Sequence, residues 1–314
     1  MRAVILSAGM GTRLRPLTDH LPKPACPVLD RPLFWYGLAL LARSGIREVA
    51  FNSHHLAEKL AEVAREGARR LGVAVTASHE PEILGTGGAL RRLSGWLGSE
   101  PFVVLNGDIL FDVDLPAAIE AHRREGAVAT MVMRPMPPGA PWRPVHVDGR
   151  GQVVRIAGDG PPPRGTTPWL FTGVHVLTPE ILGPLPPGAS GLHEAGYGPL
   201  LAAGAKVCAH RDDGYWNDLG TPARYREGNL ALLRNALPRG RFALLDLPPV
   251  GESYLGPGAR VEGEVRGSVI GAEALVPAGA VVIRSVLWPG TVLRPGERLV
   301  DGVAAGELRV PAAS

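Results

Sequence analysis

Lysine is the scarcest charged residue in this chain of 314. Only Lys23, Lys59 and Lys206 stand among 33 basic residues. Arginine supplies nearly every generic positive charge, so a lysine set between two prolines, Pro22-Lys23-Pro24, marks a place for a compact point charge. Cysteine is equally sparse. Cys26 and Cys208 make no disulfide framework, which suits a reducing compartment. Aromatics are 5% of the chain and the net charge is only +3; scattered arginines without aromatic interleaving argue against a nucleic-acid partner. No apolar run approaches the ~20 residues of a membrane-spanning helix, so no membrane partner is expected. The first strand is expected from Ala3, which leaves no room for a signal peptide and points to a cytoplasmic protein. His, Cys and carboxylate residues show no zinc-ligand spacing.

What is present is a regular alternation. Strand-like runs at 3–7, 48–52, 73–78, 102–106 and 128–133 are separated by helical periodicities at 33–43, 57–71, 88–97 and 116–125. That βαβα order predicts an α/β fold: a Rossmann-like, mostly parallel sheet sandwiched by helices. A Pro- and Gly-rich stretch at 134–168 reads as a looser β insertion with short strands at 145–147 and 153–156. Regular elements resume at 170–177, 197–203, 207–210 and 222–233. The expected division is a catalytic domain at 1–235, a linker at 236–252 and a different kind of unit at 253–314.

In that last unit apolar residues recur six apart, at Leu255 and Val261, at Ile270, Val276 and Val282, and at Val286 and Val292, with Gly or Pro between them. Hexad spacing predicts a short left-handed parallel β-helix. The register breaks from Val261 to Ile270 and from Val282 to Val286 leave an antiparallel hairpin array as the alternative.

The stretch "SAGMGTRLRPLTDHLPKPA" from Ser7 to Ala25 directly follows the first strand. At the carboxyl edge of a parallel sheet, a Gly-rich turn lets backbone N–H groups face an anion. Leu14 stands where a dinucleotide fingerprint needs its third Gly, and Thr12-Arg13 stand where a P-loop needs Gly-Lys. Arg13 can hold phosphate oxygens in bidentate fashion and Lys23 adds a point charge, which suits a triphosphate. "LNGD" ends another strand and brings Asp108 to the same edge, where Mg²⁺ takes one or two carboxylates together with phosphate oxygens and water.

The pattern Gly9-x-Gly11-Thr12-Arg13-Leu14, Pro16-Leu17-Thr18 and Pro22-Lys23-Pro24 resembles the sugar-1-phosphate nucleotidylyltransferases. "EILGTGGAL" from Glu82, "LNGDILFDVDL" from Leu105 and "GYWNDLGTPARY" from Gly214 extend the resemblance over residues 1–235. It implies an enzyme that joins an NTP to a sugar 1-phosphate and releases pyrophosphate, with an oxygen of the sugar phosphate attacking the α-phosphorus. It makes Asp218 the second Mg²⁺ carboxylate beside Asp108, and makes Arg13, Lys23, Asp108 and Asp218 the catalytic set. Ala8, Gly9, Gly11, Thr12, Arg13 and Lys23 would hold the nucleotide phosphates, and Gly85, Gly87 and Gly88 the base. Asn106, Thr172 and Gly173 would meet the sugar.

Asp112 and Asp114 read as strand-end and cap residues, His54 and His55 as surface or capping residues as readily as substrate contacts, and Trp142, Trp169 and Trp288 as packing residues. One departure stands out. Relatives carry Glu-Lys-Pro before the sugar pocket where this chain has Gly158, Asp159 and Gly160. The same absence occurs in the branch resembling the N-acetylmuramate 1-phosphate uridylyltransferases, and that resemblance implies UTP with an N-acetylated or otherwise bulky sugar 1-phosphate, with a mannose- or heptose-1-phosphate guanylyltransferase next. Readings of other classes are a catalytically silent regulatory or assembly homologue, and a hexapeptide acyltransferase fused to a sugar-binding domain. A homo-oligomer formed through the β-helix is a further expectation.

Overall fold

The computed structural model describes residues 1–158, 160–234, 239–247 and 251–312; Asp159 and much of the expected linker lie outside them. The main sheet contains β1 (Ala3–Leu6), β2 (Glu48–Ser53), β3 (Ala74–His79), β4 (Phe102–Asn106), β5 (Ala129–Pro135), β6 (Val145–Asp148), β7 (Val153–Ile156), β8 (Thr166–Leu177) and β9 (Val207–Arg211). Along its length the order is β7-β6-β8-β4-β1-β2-β3, with β5 on β8 and β9 on β5. The pairs β4/β1, β1/β2, β2/β3 and β5/β9 are parallel. β8 runs antiparallel to both β4 and β5.

Period-two alternation decides what each face buries. Ala3 and Ile5 of β1 belong to one core with the helices Leu33–Arg43 and Ala57–Leu71, while Val4 packs on the opposite side with Leu90, Leu93 and Leu97. Helices thus cover both faces, as the βαβα order requires. The helix expected from Gly88 begins earlier, at Gly85, and is followed by a separate turn, Ser94–Leu97. The strand expected at 170–177 starts at Thr166, because its first half pairs with β6 and its second half with β4. Its register slips between Phe171 and His175. Gly173, with φ +89°, sits at that slip, where a Cβ would stand 2.7 Å from Ile109 and 3.0 Å from Asn106.

The tail is a coil with parallel rungs. Val269 pairs with Val286 and Val286 with Val303; Leu275 bridges Val292; Val265 pairs with Val282 and Val282 with Leu299. Each of these steps is seventeen residues, one short of three hexads, so the hexad count breaks at corners without breaking the coil. The chain departs from the hexad expectation at its end, where Gly302–Ala305 and Leu308–Pro311 form an antiparallel hairpin. Inward residues such as Ile270, Val282 and Leu287 form the coil's own core. Their neighbours Val269, Val286 and Val303, with Tyr254, join the core of the main sheet.

Polar contacts fix that junction. Asp30 accepts from the Tyr254 hydroxyl at 2.7 Å and from the Ala272 amide at 2.9 Å. Burial pushes its carboxyl above the usual range against those bonds. Arg226 pairs with Asp301, and the Tyr225 and Trp288 rings meet edge to face at 6.2 Å. No described helix is long and apolar enough to cross a membrane.

Candidate active site

Two elements leaving the sheet's carboxyl edge build the site. After β1 the chain turns at Gly11, whose φ of +63° and close approach to Thr18 exclude a side chain. Short helical turns follow at Thr12–Leu14 and Lys23–Ala25. The loop is tied down from beneath: the Ser7 amide donates to Asn52 Oδ1 at 2.6 Å, and Asn52 Nδ2 donates to Glu80 Oε1 at 2.9 Å. Glu80, fully buried, also accepts from the Leu84 amide at 2.9 Å. The Thr18 carbonyl meets His55 Nε2 at 3.1 Å and the Glu80 carbonyl meets His54 Nδ1 at 2.8 Å, so both histidines brace the loop.

β4 delivers Asn106 and Asp108, and the short ladder between Ile109–Phe111 and Trp216–Asp218 carries Asp218 alongside. Lys23, its side chain only 6% exposed, sits between the carboxylates, 2.8 Å from Asp108 Oδ2 and 3.6 Å from Asp218 Oδ1. Arg13, 3.9 Å from Asp218 and 64% exposed, reaches outward. Asp218 Oδ2 is further held by Arg224 at 3.3 Å and by Trp142 Nε1 at 3.4 Å. Its Oδ1 is buried and accepts no hydrogen bond, with the Lys23 ammonium beside it at 3.6 Å, which leaves its lone pairs open to a further cation. Among the described residues no three His, Cys, Asp or Glu side chains converge. The donor set is therefore two hard carboxylates, which fits Mg²⁺ completed by phosphate oxygens and water. Gly220 makes room for this cluster: a Cβ there would lie 2.4 Å from Asp218 Oδ1 and 2.9 Å from Arg13.

Two cavities adjoin at these residues. The first, about 340 Å³, is lined by Ala8, Gly9, Gly11, Thr12, Lys23 and Gly85 among others, and the second, about 400 Å³, by Trp142, Arg143, Phe171, His193, Glu194 and Trp216 among others. Arg13, Asn106 and Asp108 line both.

Residues 2–235 match the family described as nucleotidyl transferase. The chain belongs to that family. Over 99% of its length it is 30% identical to the UTP–glucose-1-phosphate uridylyltransferase of Synechocystis, spanning 88% of that protein. Over 99% of its length it is also 29% identical to the mannose-1-phosphate guanylyltransferase of Mycobacterium tuberculosis, spanning 81% of it. The crystal structure of HddC from Yersinia pseudotuberculosis complexed with GMP-PN superposes with a TM-score of 0.63 at 21% identity, over 74% of this chain and 99% of that one. At that identity the likeness is one of fold.

The transferase site brings some expected residues together and leaves others apart. Arg13, Lys23, Asp108 and Asp218 form one cluster. The Gly87 and Gly88 amides are engaged by the Ser190 carbonyl at 2.9 and 3.2 Å. Only Gly85 of the three glycines lines the first cavity. The buried Thr172 spends its hydroxyl on the Val132 carbonyl at 2.9 Å, and its own carbonyl accepts from Trp216 Nε1 at 2.8 Å. Trp142, expected to be a packing residue, instead reaches Asp218 and stacks under Arg224, 4.7 Å from ring centroid to guanidinium carbon. Asp114 caps the following helix by accepting from the Ala117 amide at 3.1 Å, as its position after a strand end predicts. Glu80, Arg224, Arg143 and Glu194 escaped the sequence reading. Arg224 lay within the quoted motif GYWNDLGTPARY without a role assigned to it, and Glu80 left a trace as an acid directly after a strand.

Proposed function

We propose that this sugar-1-phosphate nucleotidyltransferase takes UTP in the first cavity and an N-acetylated or otherwise bulky sugar 1-phosphate in the second. The observation that carries this reading is the cluster of Arg13, Lys23, Asp108 and Asp218 at the boundary between two cavities. Two phosphate groups entering from opposite sides would meet there. The aromatic walls of the second cavity, Trp142, Phe171 and Trp216, offer apolar area to a sugar ring and its substituents.

The protein need not supply a nucleophile, because the sugar phosphate arrives ionised; its task is positioning and charge stabilisation. Asp108 and Asp218 would hold Mg²⁺, which when bound neutralises phosphate charge and orients both substrates. Arg13, exposed at the boundary of the two cavities, meets charge developing on the departing pyrophosphate. Lys23, fixed by burial, keeps the two carboxylates close without mutual repulsion. The full-length relative in Mycobacterium tuberculosis supports a second reading, GTP with mannose 1-phosphate. A matrix of UTP, dTTP, GTP, CTP and ATP against a panel of sugar 1-phosphates, scored by pyrophosphate release, separates them. UTP with a bulky sugar 1-phosphate is the expected best pair. GTP with mannose 1-phosphate leading by more than about tenfold, a difference of ~1.4 kcal/mol in transition-state binding, would select the second reading.

A further inference from the structure

A sugar 1-phosphate brings a doubly charged group and several hydroxyls into the second cavity, and the groups free to meet them can be found by elimination. Lys23 is engaged by Asp108 and Asp218, Lys59 donates to the His20 carbonyl, and Lys206 pairs with Glu125. No lysine is therefore among the residues lining this cavity. Arg224 is committed to Asp218 and Trp142, and Arg13 spans both cavities. Arg143 lines only the second cavity and has no hydrogen bond or ion pair to a described residue. Its side chain is exposed, but its backbone is held in place. It follows Trp142, which is pinned between Asp218, Arg224 and Trp216, and it precedes Pro144.

The acidic side follows the same logic. Apart from Asp108 and Asp218, Glu194 is the one carboxylate among the residues lining this cavity; no described residue hydrogen-bonds or ion-pairs with it, and its electrostatic neighbour is the adjacent His193. It stands in a single π-helical turn, Leu192–Tyr197, a deformation that often accompanies functional positions. Its carboxylate lies over Gly191, where a Cβ would come within 2.0 Å of Oε2. The turn is anchored to the nucleotide side, since the Leu192 amide donates to Thr86 Oγ1 at 2.8 Å and the Gly87 and Gly88 amides donate to the Ser190 carbonyl.

We infer that Arg143 and Glu194 recognise the sugar 1-phosphate, Arg143 holding its phosphate and Glu194 accepting from its hydroxyls. The inference rests on the proposed function and adds the residues that select the second substrate. A guanidinium offers two parallel donors to phosphate oxygens, a geometry lysine cannot copy. The anchoring of the π-helical turn to Thr86 and Gly87 puts Glu194 on the same rigid unit as the nucleotide pocket.

The experiment is steady-state kinetics of the full chain with Mg²⁺ and the best substrate pair from the matrix, for wild type, Arg143→Ala, Arg143→Lys and Glu194→Gln. Arg143→Ala should raise KM for the sugar 1-phosphate about tenfold or more, the scale of a lost charged hydrogen bond. KM for the nucleotide should stay within about twofold, and Arg143→Lys should recover only part of the loss. Glu194→Gln should raise KM for the sugar 1-phosphate and narrow the discrimination between sugars differing at one hydroxyl. Wild-type turnover with an unchanged sugar KM in both Arg143→Ala and Glu194→Gln overturns the inference alone. A wild-type enzyme that turns over no pair in the matrix overturns the proposed function beneath it.

Discussion

The carboxyl edge of the sheet and the C-terminal coil treat polar groups in opposite ways. At the sheet edge, Asp218 Oδ1 is buried without a hydrogen bond, and Arg143 and Glu194 line a cavity without a hydrogen bond or ion pair to a described residue. In the coil, charge is matched at once: Asp301 serves both Arg226 and Arg284, and Arg309 grips Glu297. Its buried serines form a ladder, with Ser285 N donating to Ser268 Oγ at 3.1 Å and Gly302 N to Ser285 Oγ at 3.0 Å. Trp288 Nε1 is the coil's one buried side-chain atom without a hydrogen bond among the described residues, whereas the open groups of the sheet edge are charged and line cavities, where a ligand can complete them. The coil is built to hold shape, and the edge to be completed by substrates.

The sharpest way to break this contrast is to remove charge from each half. Asp218→Asn and Lys23→Ala should each lower the rate about 10²- to 10³-fold, the scale of losing one aimed charge stabiliser. Arg309→Ala, which takes from Glu297 its partner in the coil, should leave pyrophosphate release unchanged. A coil substitution that cost as much as Asp218→Asn would mean that the coil, too, is part of the site.

The contrast has a limit at the junction, where Tyr254 is fully buried against the core of the main sheet. Tyr254→Ala should destabilise the chain by about 3 kcal/mol, as for other large-to-small core changes. Asp30→Ala, which strands the Tyr254 hydroxyl and the Ala272 amide, should cost about 1 to 2 kcal/mol. Both are read by urea unfolding. A single transition shifted as a whole would show the two halves melting together through their shared core. Two transitions, with only one displaced, would separate them.

How much of this was legible before the structure depended on the range of the signal. The strands and helices of the sheet follow from local periodicity, so their expected positions agree with the observed ones to within a few residues. The coil was legible in outline because hexads are also local, but its seventeen-residue turn made the spacing look broken. Arg13 and Asp108 were readable as charges in loops that follow strands and Lys23 as a lysine between two prolines, whereas Asp218 entered only through resemblance. Trp142, Arg143 and Glu194 had no such signal. They come from a Pro-rich insertion and a Gly-rich approach to a π-helical turn, and only the packing of β5, β6 and β8 brings those segments to one cavity.

The smallest expected effect also separates the halves most cleanly, because no histidine follows His210. Burial, with the neighbouring His193 charge second, holds His175 well below 6.5, and burial lowers His193 as well. His122, His146 and His210 shift the same way, with burial the largest cause in each. Because the folded values lie below the unfolded ones, the unfolded chain binds more protons as pH falls. The stability these groups contribute is then present above about pH 6.5 and drains away below it, by at most about 1.4 kcal/mol per pH unit for each group. His175 Nδ1 lies 2.7 Å from the Tyr197 hydroxyl at the end of the π-helical turn, so the loss should appear there first. Asp30 shifts in the opposite direction, with burial the largest cause, so its protonation relieves a desolvation cost and the junction does not lose stability through it as pH falls. Hydrogen exchange, corrected for the intrinsic pH dependence of the amides, should therefore show protection at 192–197 declining between pH 6.5 and 5, while protection across 269–304 holds. Equal declines in both segments would mean that the buried histidines are not what the acid response reads, and the contrast between the two halves would lose its electrostatic basis.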